Sequence, residues 1–191
     1  MIDPVAQHLL LEGIFLKYGY DFRQYAEASL HRRLQSLLFR YKITDPLDLL
    51  KMILNDKDFF IEALPLFTVN TTEIFRDPLF FKALREKVLP LLKTYPRLNF
   101  WVAGCSTGEE VHTLSIILHE EGMAARSTIF ATDISPTVLK TAREGIYSAE
   151  TLKVFAKNYV AAGGTKNPSE YYTADYGFAR FDPRLRENVI F

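Results

Sequence analysis

Apolar residues along the first third of the chain recur at helical spacing. Residues 4–18 carry clustered apolar positions and close at Gly19. Over residues 23–41, Leu30, Leu34, Leu37 and Tyr41 fall at i, i+4, i+7 and i+11, which is one helix face. Asp45-Pro46 sets a cap and a first-turn proline ahead of Leu47, Leu49, Leu50 and Ile53, predicting a third helix. Pro65 is expected to break this pattern and close a small helical bundle over residues 1–65. Residues 66–95 read as a linker and connecting helix: a polar connector over 66–78, then a helix from Asp77-Pro78 to about Lys93, kinked or divided at Pro90.

After Tyr95-Pro96 the period changes. Leu98–Ala103 reads as a buried strand, Gly104–Gly108 as a tight loop, and residues 109–122 as a helix with Val111, Leu114, Ile117 and Leu118 inward. Residues 127–132 predict a second strand, and Ser135-Pro136 starts a helix to about Arg143. This βαβ order predicts an α/β domain with a parallel sheet over residues 96–191. The C-terminal stretch is less regular. Gly163-Gly164, Asn167-Pro168 and Asp182-Pro183 mark loops, Tyr159, Tyr171, Tyr172 and Tyr176 supply aromatics, and Glu187–Phe191 begins a third parallel strand. A sheet of only these strands has an exposed edge and a poorly covered face, so the sequence reads as stopping within its second domain.

Composition narrows the class. With 48% apolar and 14% aromatic residues, 191 residues can bury a core, and a folded rather than disordered chain is expected. A formal net charge of zero gives no bulk reason to expect nucleic acid or membrane. The single cysteine, Cys105, forbids an intrachain disulfide and fits a reducing compartment. No run approaches the roughly 18 apolar residues of a membrane span, and the N-terminus lacks a secretory pattern, so a cytoplasmic protein is expected.

The segment Trp101–Glu110, WVAGCSTGEE, joins a strand to a helix, where α/β folds bind nucleotide-like ligands. It is not a phosphate loop, because three residues separate Gly104 from Gly108 and Glu109 follows. Carboxylates at Glu109 and Glu110 suit a ligand with a cationic end, or simply complement the helix dipole. Asp133, just past the second strand, is placed either to accept from ribose hydroxyls or to cap the next helix, for which Ser135 is better placed. In the connector, Asn70, Thr71, Thr72 and Arg76 form either a plain loop or a lid on the pocket. On a helical turn Thr72 and Arg76 would face the same way, and Arg76 could hold a carboxylate. Arg32, Arg33 and Arg40 flank the polar face of the second helix, as a solvated face or as a docking strip for an acidic partner. Cys105 reads as a packed residue. His112 reads as a pocket wall or surface residue, and no Cys/His cluster has metal-ligand spacing.

Four segments, DFRQYAEASLHRRL, TVNTTEIFRDPLFF, WVAGCSTGEEVHTLSIILHEEG and IFATDISPTVLKTAREGIY, occur in order and together resemble the CheR-type chemotaxis receptor methyltransferases. The resemblance implies a helical N-terminal domain followed by a Rossmann-like S-adenosylmethionine domain, incomplete here, with an inserted β-subdomain at about residues 153–188. It implies cofactor contacts at Asn70, Thr72, Arg76, Glu109 and Asp133. Glu109 would hold the methionyl amino group, Asp133 the ribose, and Arg76 would sit near methyl transfer. It implies receptor contacts at Arg32, Arg33 and Arg40, and glutamate side chains of methyl-accepting chemotaxis receptors as substrate, with S-adenosylhomocysteine as product. No metal, nucleic acid or membrane insertion is implied. The family's later Asn-Leu and Cys-Arg-Asn-Val motifs, which contribute adenine contacts, are not in this sequence, and His112 stands where a tyrosine is common. A catalytically incomplete receptor-binding module and a methyltransferase of another substrate class are the competing readings.

Overall fold

The computed structural model describes residues 2–68 and 72–191 and divides into two compact units, residues 1–69 and 70–191. The first unit holds four helices, α1 (Pro4–Tyr18), α2 (Glu27–Tyr41), α3 (Pro46–Asn55) and α4 (Lys57–Phe67). Asp3 accepts from Val5 N–H to cap α1, and Gly19, at φ +79°, ends it in the left-handed conformation that favours glycine. Leu30, Leu34 and Leu37 are buried as the heptad-like spacing requires, together with Leu10, Ile14, Phe22, Leu49, Ile53, Phe60 and Phe67.

Two details depart from expectation. Asp56 alone separates α3 from α4, accepting from Phe59 N–H as the cap of the second helix, so the bundle gains a helix. Pro65 lies inside α4 rather than ending the bundle, and the helix runs on to Phe67, whose buried ring stacks on Phe22. Burial of the last turn outweighs the hydrogen bond that proline forfeits.

In the second unit, residues 72–95 fold with the α/β core. The helix expected from Pro78 is α5 (Pro78–Ala83), a π-helical turn over Leu84–Val88, then α6 (Leu89–Leu92). Leu89 N–H reaches back to Leu84 O, and this wider turn sits immediately before Pro90, where an α-helix would bring the ring against a carbonyl.

Next come β1 (Leu98–Ala103), α7 (Glu109–Glu120), β2 (Ser127–Thr132) and α8 (Pro136–Glu144). β2 pairs in parallel with β1 and with β6 (Val189–Ile190), giving the order β1-β2-β6 of a Rossmann-like sheet. Leu98, Val102, Ile129 and Ala131 join the core with Val111, Ile116 and Ile117 of α7. Strand β1 is not buried on both faces as its sequence suggests. Trp101, Phe130 and Ile190 stand in register on the other face and are exposed, because no helix of the described chain covers them.

Between α8 and β6 the chain builds a second sheet from β3 (Ile146–Ser148), β4 (Tyr172–Asp175) and β5 (Phe178–Phe181), antiparallel in the order β3-β5-β4. It also holds α9 (Ala149–Ala161), a helix that the loop signals in this stretch concealed. The first strand of this sheet, β3, lies ahead of the stretch from about residue 153 in which an inserted subdomain is expected. Phe155, Tyr159, Tyr171 and Phe181 bury their rings against the α/β core.

Candidate functional site

The loop after β1 holds Gly104, Ser106 and Gly108 at φ +70°, +50° and +93°. A side chain at Gly108 would meet Ala142 Cβ at 2.8 Å and the Tyr147 hydroxyl at 3.2 Å, so only glycine lets α7 start this close to α8. At Gly104 a side chain would meet nothing within 4 Å, leaving the backbone there open to a ligand. Cys105 N–H donates to Thr132 O at 2.9 Å, which ties the loop to the end of β2.

Asp133 organises both strand ends. Its two carboxylate oxygens accept from Ser106 N–H at 2.8 Å and from Ser135 N–H at 2.9 Å. Each oxygen retains capacity for a further hydrogen bond. Ser135 does not cap α8 through its side chain as its position suggests. The Ser106 and Ser135 hydroxyls are instead buried without a partner among the described residues. Buried polar groups are nearly always satisfied, so two orphaned hydroxyls beside one carboxylate mark a place built for polar ligand atoms or water.

Glu109 and Glu110 separate in role. Glu110 is exposed at the first turn of α7, where it complements the dipole. Glu109 is only 7% exposed, accepts from Thr107 Oγ1 at 2.6 Å, and forms no ion pair among the described residues. Burial pushes its carboxyl up from the usual glutamate value. A buried carboxylate lacking a cation fits a ligand ammonium group.

The connector is fastened to the same helix turn. Thr113 Oγ1 donates to Glu109 O at 2.8 Å and accepts from Phe75 N–H at 2.8 Å. Phe75 and Asp77 both sit at φ +55°, a conformation costing a non-glycine residue on the order of 1 kcal/mol. Phe75 is held there by that bond and by its buried ring, packed on Phe81, Phe155 and Tyr159. Arg76 lies between the two and is exposed. Residues 72–77 are turns rather than a helical turn, so the i, i+4 alignment of Thr72 with Arg76 does not hold. The left-handed residues break it. Thr72 is half-buried, and Asn70 lies outside the described residues.

His112 is fully buried, not at the surface, and burial next to Arg186 holds its imidazole down at about 4. Burial, with the charge of Asp133, raises the Cys105 thiol to about 11, consistent with a packed residue rather than a nucleophile. In the first unit, Arg32 and Arg40 are exposed, whereas Arg33 is half-buried and donates to Thr68 O at the end of α4 and to Ser29 Oγ. Thr113 and Tyr147 escaped the sequence reading. Thr113 gave one faint signal, a polar residue one turn after Glu109 beside the apolar positions Val111 and Leu114.

Among the described residues the loop is lined by carboxylates, hydroxyls and backbone, with no cationic cradle for phosphate. This suits an aminoacyl-nucleoside such as S-adenosylmethionine. Two family models match the chain: the CheR methyltransferase all-alpha domain over residues 8–68 and the CheR methyltransferase SAM binding domain over residues 70–191. The chain belongs to the CheR methyltransferase family, and its cofactor is S-adenosylmethionine. It is 46% identical, over 96% of its length, to 67% of a Pseudomonas putida protein carrying the methyltransferase name Cher3. It is 29% identical, over 86% of its length, to 65% of a chemotaxis protein methyltransferase of Listeria monocytogenes. It is 32% identical, over 66% of its length, to 48% of chemotaxis protein methyltransferase 1 of Vibrio cholerae. The chain thus spans about two thirds or less of the length of these relatives.

Proposed function

We propose that this chain takes part in S-adenosylmethionine-dependent methylation of glutamate side chains on the cytoplasmic domains of methyl-accepting chemotaxis receptors, acting in the cytoplasm. The observation that carries the reading is the pairing of Glu109, a buried carboxylate without a cation among the described residues, with Asp133, fixed by Ser106 and Ser135 across the same loop. Glu109 supplies the acceptor for the ligand's amino group, and Asp133 accepts from the ribose. Relatives named as chemotaxis protein methyltransferases support the receptor as substrate.

S-adenosylmethionine supplies an electrophilic methyl, whose transfer forms a carboxylate O–C bond and breaks the C–S bond, the electron pair staying on sulfur. A glutamate side chain is already ionised at neutral pH, so the protein need not remove a proton. Its work is alignment and exclusion of water. Arg76, held between the left-handed Phe75 and Asp77, orients the incoming carboxylate. Arg32 and Arg40 on α2 attract the acidic receptor segment, while Arg33, bonded to Thr68 O, supports the fold as well as the docking face.

The test is transfer of labelled methyl to a receptor cytoplasmic fragment, with base treatment to release methanol from an ester. Base-labile label on the receptor, reduced at least tenfold by Arg76→Ala, is the expected result. Label on RNA or a small molecule instead, or binding of the receptor without transfer, would overturn this reading.

A further inference from the structure

Three side chains the family reading does not use meet under the cofactor loop. His112 Nδ1 lies 2.9 Å from Gly108 O and 3.0 Å from the Tyr147 hydroxyl. Tyr147 Oη donates to Thr107 O at 2.9 Å. On the other side of the ring, Arg186 Nη1 lies 3.4 Å from His112 Nε2 and donates to Phe181 O at 3.3 Å. Carbonyl Gly108 O can only accept, so Nδ1 carries the proton and Nε2 is left as the acceptor facing the guanidinium. The three rings of His112, Tyr147 and Phe181 pack edge to face, with centroids 5.2–5.5 Å apart.

The contacts span two parts of the fold. Thr107 and Gly108 are the last residues before Glu109 in the cofactor loop. Tyr147 is the central residue of β3, Phe181 ends β5, and Arg186 follows it, so all three come from the inserted subdomain or its exit. The fit has no slack. A side chain at Gly145 would strike Arg186 Nη1 at 2.1 Å and His112 Nε2 at 2.9 Å. One at Gly108 would strike Ala142 and approach the Tyr147 hydroxyl.

We propose that Tyr147, His112 and Arg186 are positioning residues that let the inserted subdomain set the geometry of the cofactor loop. The Thr107 and Gly108 carbonyls are held from beneath, which fixes where Thr107 Oγ1 and the Glu109 carboxylate stand. None of the three touches the cofactor; each acts through the loop. The proposal rests on the reading of Glu109 as a cofactor contact.

The test compares Tyr147→Phe and His112→Asn with a control of similar burial, Tyr159→Phe, whose hydroxyl bonds Glu120 at the far end of α7. His112→Asn keeps a donor near Nδ1 and serves as the conservative variant. Two quantities are read: amide hydrogen exchange over residues 104–110 of the ligand-free chain, and affinity for S-adenosylhomocysteine by calorimetry. Tyr147→Phe is expected to speed exchange in the loop and weaken binding about tenfold. Asparagine at position 112 should retain most of the binding. Tyr159→Phe should lower the melting temperature comparably and leave loop exchange and affinity unchanged. Loop exchange and affinity unchanged in Tyr147→Phe would overturn the proposal. Faster loop exchange in Tyr147→Phe, in a wild-type chain that binds no S-adenosylhomocysteine, would support the clamp and overturn the cofactor reading instead.

Discussion

At the scale of single residues, the site holds charge under strain. Glu109 is buried without a cation among the described residues, and its carboxyl is raised by that burial. A raised carboxylate means the folded chain binds its proton more tightly than the unfolded chain. The stability this lends is therefore lost as pH rises through the raised value, and at neutral pH Glu109 is a cost. Glu109→Gln should then raise the melting temperature of the ligand-free chain while weakening S-adenosylhomocysteine at least tenfold, measured by calorimetry and thermal denaturation on one sample. His112 acts in the opposite direction. Its imidazole falls from 6.5 to about 4 through burial and the facing Arg186, with Tyr147 and the Glu109 side of the loop packed near it. Unfolding frees it to take up a proton, so its contribution is complete above about pH 6.5 and lost as pH falls toward 4. Over that window the shift corresponds to about 3 kcal/mol, and His112→Asn should flatten the pH dependence of a urea midpoint there.

At the scale of elements, two junctions hold the site's parts together. Asp133 ties the β1–α7 loop to the start of α8 through two backbone N–H bonds. Asp133→Ala leaves both donors unsatisfied and should cost about 2–3 kcal/mol by urea unfolding, besides its effect on binding. At the other end of α7, Arg85 of the π turn pairs with Glu120, whose carboxylate also accepts from the Tyr159 and Tyr171 hydroxyls. Arg85 and Glu120 are nearly buried, at 8% and 4% side-chain exposure. Glu120→Ala leaves the Arg85 guanidinium only its longer pair with Glu121, at 3.4 Å, and leaves the two tyrosine hydroxyls without that acceptor, and should destabilise the second unit by about 2–3 kcal/mol in urea unfolding.

Element by element, what could be read ahead follows from periodicity. α1, β1, β2 and the helices starting at Pro46 and Pro136 carry strong spacing and start signals and form where the sequence places them, whereas α2, expected from residue 23, starts at Glu27 after a turn. The departures have local causes. One residue, Asp56, serves as the end of α3 and the cap of α4, too short a break to show against a continuous apolar pattern. Pro65 lies within a buried last turn, where packing outweighs propensity. α9 was hidden by the glycine and proline signals that follow it. In the candidate site, Glu109 and Asp133 stand out in the sequence because loop glycines and a strand-end acid sit at fixed offsets, and the structure sets both on the β1–α7 loop or its partner strand end. The role of Thr113 was not, nor that of Tyr147. Each depends on a contact between segments 38 or 40 residues apart, which spacing along one element cannot report.

For the molecule as a whole, the chain divides into two units of different architecture. The helical unit presents Arg32 and Arg40, and the α/β unit carries the loop between Gly104 and Glu109. The parallel sheet, three strands wide, leaves Trp101, Phe130 and Ile190 exposed, so the second unit's stability leans on the packing of α7, α9 and the aromatic cluster around Phe75. The central claim is that the loop and Asp133 bind S-adenosylmethionine's framework. The most direct test is calorimetric titration of S-adenosylhomocysteine into this chain, beside Asp133→Ala and Glu109→Gln, each checked for folding. One-to-one binding by the chain, lost in Asp133→Ala and at least tenfold weaker in Glu109→Gln, is the predicted result. No binding by the folded chain, or equal binding by all three, would contradict it.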